Sequence, residues 1–225
     1  MRSNGYFRAL LSGIGAGFLS LSLSYATLID FGNITGAIPT NYASRVDETG
    51  RDIGGRTGFN LTHGATPNVA VEMFSANYSG GTWGYIDSLY WWSTGYADLY
   101  GVAYHYPSWQ GARFIFTADP IYWVRLHGFQ MGGWPNTDRT LPFLQVLVDG
   151  TPILTQTNVP ISGSTANTFS FDPTTTKGSV IEIRFGGDWN VGIDNIGISQ
   201  ELIPEPASLL VLGVGLAGLA RRRRK

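Results

Sequence analysis

Between Tyr78 and Trp109, eleven of 32 residues are Tyr or Trp and none is Phe. Such rings stack on the apolar faces of sugar rings, while the phenol hydroxyl and indole N–H supply polar contacts at the edge. Trp91, Trp92, Tyr96 and Trp109 within this stretch, and Trp134 in the segment FQMGGW that follows it, are the candidate ligand-contacting residues. Two other readings stay open: the rings could fill the core of a folded domain, or cover a protein interface. Leu99, Val102 and Ala103 favour core for part of the stretch. If Trp91 and Trp92 share a strand they point to opposite faces, so at most one of them faces solvent.

Residues able to make and break bonds are sparse by comparison. The three histidines, His63, His105 and His127, fall in no metal-binding or nucleophile-activating pattern, and no HExxH, GxSxG, SxxK or phosphate-cradling glycine loop occurs. With no cysteine there is no disulfide, thiolate metal site or cysteine nucleophile. A glycanase needs two carboxyl groups across the scissile bond, and Glu48, Glu72, Glu182 and Glu201 carry no signature of such a pair. The reading is therefore not an enzyme. The densest charge cluster, RVDETGRDIGGR at 45–56, is expected to be a solvated loop, with a cation-binding loop as the alternative.

The elements that must position these residues read as strands. Phe114 and Phe116 alternate with Arg113 and Ile115, and Ile181, Ile183 and Phe185 alternate with Glu182 and Arg184. Leu144, Val146 and Val148 lead into Asp149-Gly150, a two-residue hairpin signal, and Tyr122, Val124 and Leu126 form another alternating run. Gly, Pro, Asn and Thr interrupt every stretch that could form an amphipathic helix. About ten short strands separated by turns predict an all-β, single antiparallel two-sheet sandwich of jelly-roll type over residues 27–203. Eight Lys and Arg stand against fifteen Asp and Glu in that span, so the body is acidic and a poor partner for nucleic acid.

The two ends have a different character. Arg2 and Arg8 precede an apolar run from Leu10 to Leu23, and Ser24-Tyr25-Ala26 places small residues at a cleavage point between Ala26 and Thr27. Residues 1–26 are thus an expected signal peptide, with signal peptidase as its partner. At the other end, Pro204-Glu205-Pro206 precedes an uncharged apolar run, 207–220, and the basic block Arg221, Arg222, Arg223, Arg224, Lys225. Fourteen residues of helix span ~21 Å, short of the ~30 Å hydrocarbon core, so crossing requires a thinned bilayer and snorkelling arginines. The basic block is expected on the cytoplasmic side.

Residues 204–225 resemble the PEP-CTERM sorting signal of Gram-negative bacteria, with Ile203 where Val usually stands. The resemblance implies that a membrane-embedded exosortase recognises Pro204-Glu205-Pro206, cleaves near it and discards the tail. The chain is then held transiently in the inner membrane and passes to the cell surface or extracellular matrix, including biofilm. The body resembles galactose-binding-like and carbohydrate-binding-module jelly rolls in its opening Leu28-Ile29-Asp30-Phe31-Gly32 and closing Val191–Ile198 segments. In such modules the termini lie side by side near a structural calcium, which makes Asp30 and Asp194 the candidate calcium ligands. The expected function is a non-catalytic, exported sandwich that associates with exopolysaccharide. A structural surface or matrix protein without a discrete ligand is the alternative, with a glycan-active enzyme behind both.

Overall fold

The computed structural model describes residues 26–204 except Asn33, His63, Ser79 and Gly80. Glu205, Pro206 and the basic tail, and the signal segment before Ala26, lie outside the described residues. Chain order runs β1 (Ala26–Ile29), β2 (Ala37–Ile38), β3 (Val69–Ala76), β4 (Tyr85–Asp87), β5 (Leu89–Trp92), β6 (Val102–Tyr104) and β7 (Gly111–Ala118). It continues with β8 (Tyr122–Gly133), β9 (Arg139–Val148), β10 (Thr151–Ile161), β11 (Asn167–Ser170), β12 (Lys177–Gly178), β13 (Val180–Gly186) and β14 (Val191–Leu202). No helix occurs among the described residues, and so none that is long and apolar enough to cross a membrane.

These strands form two antiparallel sheets. One is 8-stranded, in the order β11-β8-β14-β6-β5-β2, with β1 on β14 and β12 on β8. The other is 6-stranded, in the order β10-β9-β13-β7-β3-β4. The expected two-sheet sandwich is what the chain forms, with more strands than the ten anticipated. The extra elements are two- to four-residue pieces such as β2, β4 and β12, too short to show an alternating pattern.

Period-two alternation sets the core. Phe114 and Phe116 of β7 are fully buried against Ile181, Ile183 and Phe185 of β13 and Leu144 and Val146 of β9. Arg113, Glu182 and Arg184 take the opposite face, where Glu182 bonds both arginines, at 2.9 Å to Arg113 Nε and 2.7 Å to Arg184 Nη2. Burying a side chain such as Phe or Ile stabilises by ~1.5–3 kcal/mol, so the inward positions outweigh any single polar contact outside. The Asp149-Gly150 hairpin forms with φ of 48° and 79°, the positive pair that a two-residue turn between twisted strands demands.

β14 organises the other sheet. It pairs with β8 along one edge, and along the other with β6 at Ile193 and with β1 from Ile196 to Ser199. The chain's opening and closing strands therefore lie side by side, as expected. The register on β8 breaks between Asp194 and Gly197, where Asn195 has a φ of 52°. That bulge turns the Asp194–Asn195 pair relative to the rest of the strand.

Candidate functional site

At the N-terminal end of β14, three separate parts of the chain bring their aromatic rings together. β5 presents Leu89 and Trp91 inward and Tyr90 and Trp92 outward, and Tyr90 lies directly across from Tyr104 on β6. The loop after β6 carries Tyr106, and the turn before β14 carries Trp189. Their ring centroids form a closed circuit: Tyr90–Tyr104 5.9 Å, Tyr104–Trp189 6.3 Å, Trp189–Tyr106 5.6 Å and Tyr106–Tyr90 6.2 Å. Trp134, just past β8, extends it by packing on Trp189 at 5.5 Å with 36° between planes. Tyr106 is 50% exposed and Tyr90 36% exposed, while Tyr104, Trp134 and Trp189 are half-buried. The result is an aromatic surface whose rings brace one another and still reach solvent.

Backbone and buried contacts hold this surface in place. Trp134 N donates to Asn190 O at 2.8 Å, Arg139 Nε to Trp134 O at 2.7 Å, and Gly187 N to Gln110 O at 3.2 Å. Asp188 Oδ1 accepts both the backbone N–H and the side-chain amide of Asn190, closing the turn that displays Trp189. Beneath lies Tyr96, whose hydroxyl donates to Trp189 O at 3.2 Å and whose ring sits 5.9 Å from Tyr104. Burial pushes the Tyr96 phenol far above its ordinary range, with Tyr104 and Asp188 adding to the rise. Tyr104 is raised as well, by burial first and then by Tyr90 and Tyr106.

Two of the five aromatic candidates are corrected by this geometry. Tyr96 is 1% exposed and props the site from below, because the loop between β5 and β6 folds over Val102 and takes the ring into a small core of its own. Trp91 packs on the main core and donates its indole N–H to Phe31 O at 2.7 Å, so alternation on β5 sends it inward. Trp92 (47%) and Trp109 (53%) are exposed, and Trp134 joins the circuit. Trp189 was missed. It stands alone in the sequence among Gly187, Asp188 and Asn190, and only the pairing of β14 with β6 and β8 brings it to the other rings.

A second assembly lies at the β14 bulge. Asp194 is 2% exposed, and its Oδ1 accepts Phe31 N–H at 3.2 Å, tying β14 to the segment after β1. Asp30 Oδ1 accepts Gly32 N–H at 2.5 Å. Burial, with the neighbouring Asp30 charge adding, pushes the Asp194 carboxyl up to about 8, although N–H groups of Asn195 and Phe31 pull the other way. The two aspartates line a cleft of about 290 Å³ with Asp98, Tyr100 and Gln130. Asp98, however, bonds Ala166 N at 2.7 Å, and among the described residues no group of three or more His, Asp or Glu is placed to hold a metal ion.

Several other acidic groups are held by hydrogen bonds. In the 45–56 loop, Asp52 is buried and accepts from Ala43 N and Arg56 Nε, and Asp47 accepts from Thr49 and Arg51. Glu201 takes Arg125 Nε at 2.9 Å and Lys177 Nζ at 3.0 Å; burial raises its pKa, but these hydrogen bonds outweigh it and the carboxyl stays below its ordinary value. His127 Nε2 lies 2.8 Å from Ser199 Oγ, a structural contact. His105 is fully buried against Phe185, its Nε2 without a partner, and burial pushes it down to about 4. His63 lies outside the described residues.

The expected cleavage point, Ala26/Thr27, falls on the first pair of β1, Ala26 with Ser199. Thr27 is already buried, its Oγ1 donating to Gly64 O at 2.8 Å. At the far end the described residues stop at Pro204, which is exposed.

Comparison with known proteins decides the character of that end. Residues 202–225 match the PEP-CTERM protein-sorting motif. The chain carries an exosortase sorting signal. The motif marks an exported protein that is processed while anchored in the membrane, with an exosortase as the processing enzyme. No curated protein matches the chain. Among solved structures, an exo-beta-1,3-galactanase from Phanerochaete chrysosporium, crystallised with beta-1,3-galactotriose, is similar at 16% identity over 63% of this chain, with a TM-score of 0.25. The chain spans 32% of that protein's length.

Proposed function

We propose that this exported, exosortase-sorted sandwich is a non-catalytic module that docks on exopolysaccharide at the cell surface or in the extracellular matrix. The observation that carries the reading is the closed circuit of Tyr90, Tyr104, Trp189 and Tyr106, extended by Trp134. Stacking on sugar rings needs exposed aromatic faces whose orientation is fixed in advance, and braced rings lose little freedom on binding. Asp30 and Asp194 enter the proposal as the pair that would take a calcium ion near the paired termini. Residues 1–26 are proposed to direct export, with signal peptidase cutting before Thr27.

The test is affinity electrophoresis of residues 27–203 through gels containing the host's purified exopolysaccharide. The expected result is retardation that Trp189→Ala and Tyr106→Ala each weaken. A stacked ring contributes ~1 kcal/mol, or roughly a fivefold change in Kd. Retardation unchanged in both variants would move the site elsewhere, and no retardation of the parent would leave a structural matrix protein. Hydrolysis of the polysaccharide by the parent would replace the non-catalytic reading with an enzyme.

A further inference from the structure

The sorting signal begins where the folded sheet ends, with no spacer between them. β14 remains paired through Leu202, opposite Tyr122, and Ile203 N still donates to Ile121 O at 2.7 Å. The apolar run begins at residue 207. Four residues reach at most ~14 Å even fully extended, so whatever their conformation the end of the sandwich stays that close to the hydrocarbon. The headgroup layer itself is ~5–7 Å deep on each side of the bilayer.

The surface at that end suits such a position. Ile121 is 64% exposed and Leu202 55% exposed, on successive rungs at the end of the two strands: Leu202 opposite Tyr122, and Ile121 bonded to Ile203. Ile121 holds a φ of 72°, a left-handed conformation that a β-branched residue rarely adopts, at the tip of a turn closed by Tyr122 N to Asp119 O. The ionised groups beside these two residues are paired: Asp119 with Arg45 at 2.6 Å, and Glu201 with Arg125 and Lys177. At the other end of β14, eleven residues of ~3.3 Å each separate Leu202 from Val191, placing the aromatic circuit roughly 35 Å away.

We propose that the Ile121–Leu202 edge rests on the headgroup layer of the membrane that holds the chain's own residues 207–220. The unprocessed sandwich thus stands on the C-terminal end of β14 and presents Tyr106, Trp189 and Trp134 outward, away from the bilayer. This rests on the sorting signal as the membrane anchor, and it holds whether or not the aromatic surface binds glycan. The partner is the lipid surface and not the processing enzyme.

Because the chain lacks cysteine, single labels can be placed without background. The full chain would be made as Ile121→Cys, Leu202→Cys, Ile153→Cys and Trp109→Cys, carrying a nitroxide. Each would be reconstituted in phosphatidylethanolamine–phosphatidylglycerol vesicles without exosortase. Ile153 and Trp109 are the exposed controls, on β10 of the other sheet and on the loop beside Tyr106. The expected result is a loss of accessibility to aqueous nickel and a gain in accessibility to oxygen at 121 and 202, with 109 and 153 remaining fully aqueous. Circular dichroism checks the fold of each variant, and the Leu202 label alone suffices if Ile121→Cys misfolds. Labels at 121 and 202 as open to nickel as the controls, in chain that sediments with the vesicles, would overturn the proposal while leaving the anchor intact. Chain that does not sediment would overturn the anchor and the proposal together. Protection appearing only when exosortase is added would assign the edge to the enzyme instead.

Discussion

Asp194 offers a test of the buried site with a defined sign and pH window. Its carboxyl is raised in the folded protein from an ordinary value of 3.8 to about 8, chiefly by burial and further by Asp30. Between these values the native state holds a proton that the unfolded chain has lost. Stability therefore falls as pH rises, by about 1.4 kcal/mol per pH unit, and levels off above the folded value. His105 acts in the opposite sense lower down. Burial depresses it from 6.5 to about 4, so folding excludes a proton in that range and stability rises with pH until about 6.5. The paired carboxylates Glu182, Glu201 and Asp119 lie below their ordinary values, and their contribution is lost only on further acidification.

From pH 6.5 to 8, above the range where His105 acts, the Asp194 effect should cost the wild type about 2 kcal/mol. In Asp194→Asn the amide oxygen can keep the Phe31 N–H bond while the titrating carboxyl is gone, so the Asp194 fall should be missing from the curve in that window. Urea unfolding at half-unit pH steps, followed by tryptophan fluorescence, measures both curves. Parallel curves for the two proteins would refute the reasoning, because they would mean that Asp194 is ionised in the native state at neutral pH.

Three further outcomes follow from the same structure. Calcium should raise the Tm of residues 27–203 more at pH 9 than at pH 6, since binding to the Asp30–Asp194 pair must displace the Asp194 proton; no shift at either pH would remove the pair from consideration. Gly101→Ala should destabilise by about 3 kcal/mol in denaturant titration, because Gly101 has a φ of 80° and an added Cβ would lie 2.5 Å from Gly32 Cα; a change near zero would mean that β6 and the Phe31–Gly32 segment are not so closely apposed. Trp91→Phe should cost about 1 kcal/mol by removing the donor to Phe31 O, yet leave glycan retardation unchanged; weakened retardation would return Trp91 to the binding surface.

The strands that carried the sandwich were legible because their signal is local. Phe114, Phe116, Ile181, Ile183 and Phe185 announce their face by alternation alone, and Asp149-Gly150 announces its turn. The short elements β2, β4 and β12 were not, since two or three residues display no period. The aromatic region was legible in composition only. Trp91 and Trp92 were separable into opposite faces but not into inner and outer, because that choice depends on what covers each face of β5. Tyr96 looked like its neighbours until the loop between β5 and β6 was seen to bury it.

By itself the sequence determined the sorting signal, the sandwich class, the acidic body and the absence of thiol chemistry, all properties of composition, order and short-range periodicity. Only the tertiary structure decided which rings meet. Tyr90, Tyr104, Tyr106, Trp134 and Trp189 are spread over a hundred residues, and β14 brings them together by pairing with β6 on one edge and β8 on the other. It also decided that Asp194 is buried beside Asp30 and that the sheet runs directly into the sorting signal. Those are consequences of strand register, which is set by the packing of the whole core and is written in no single segment.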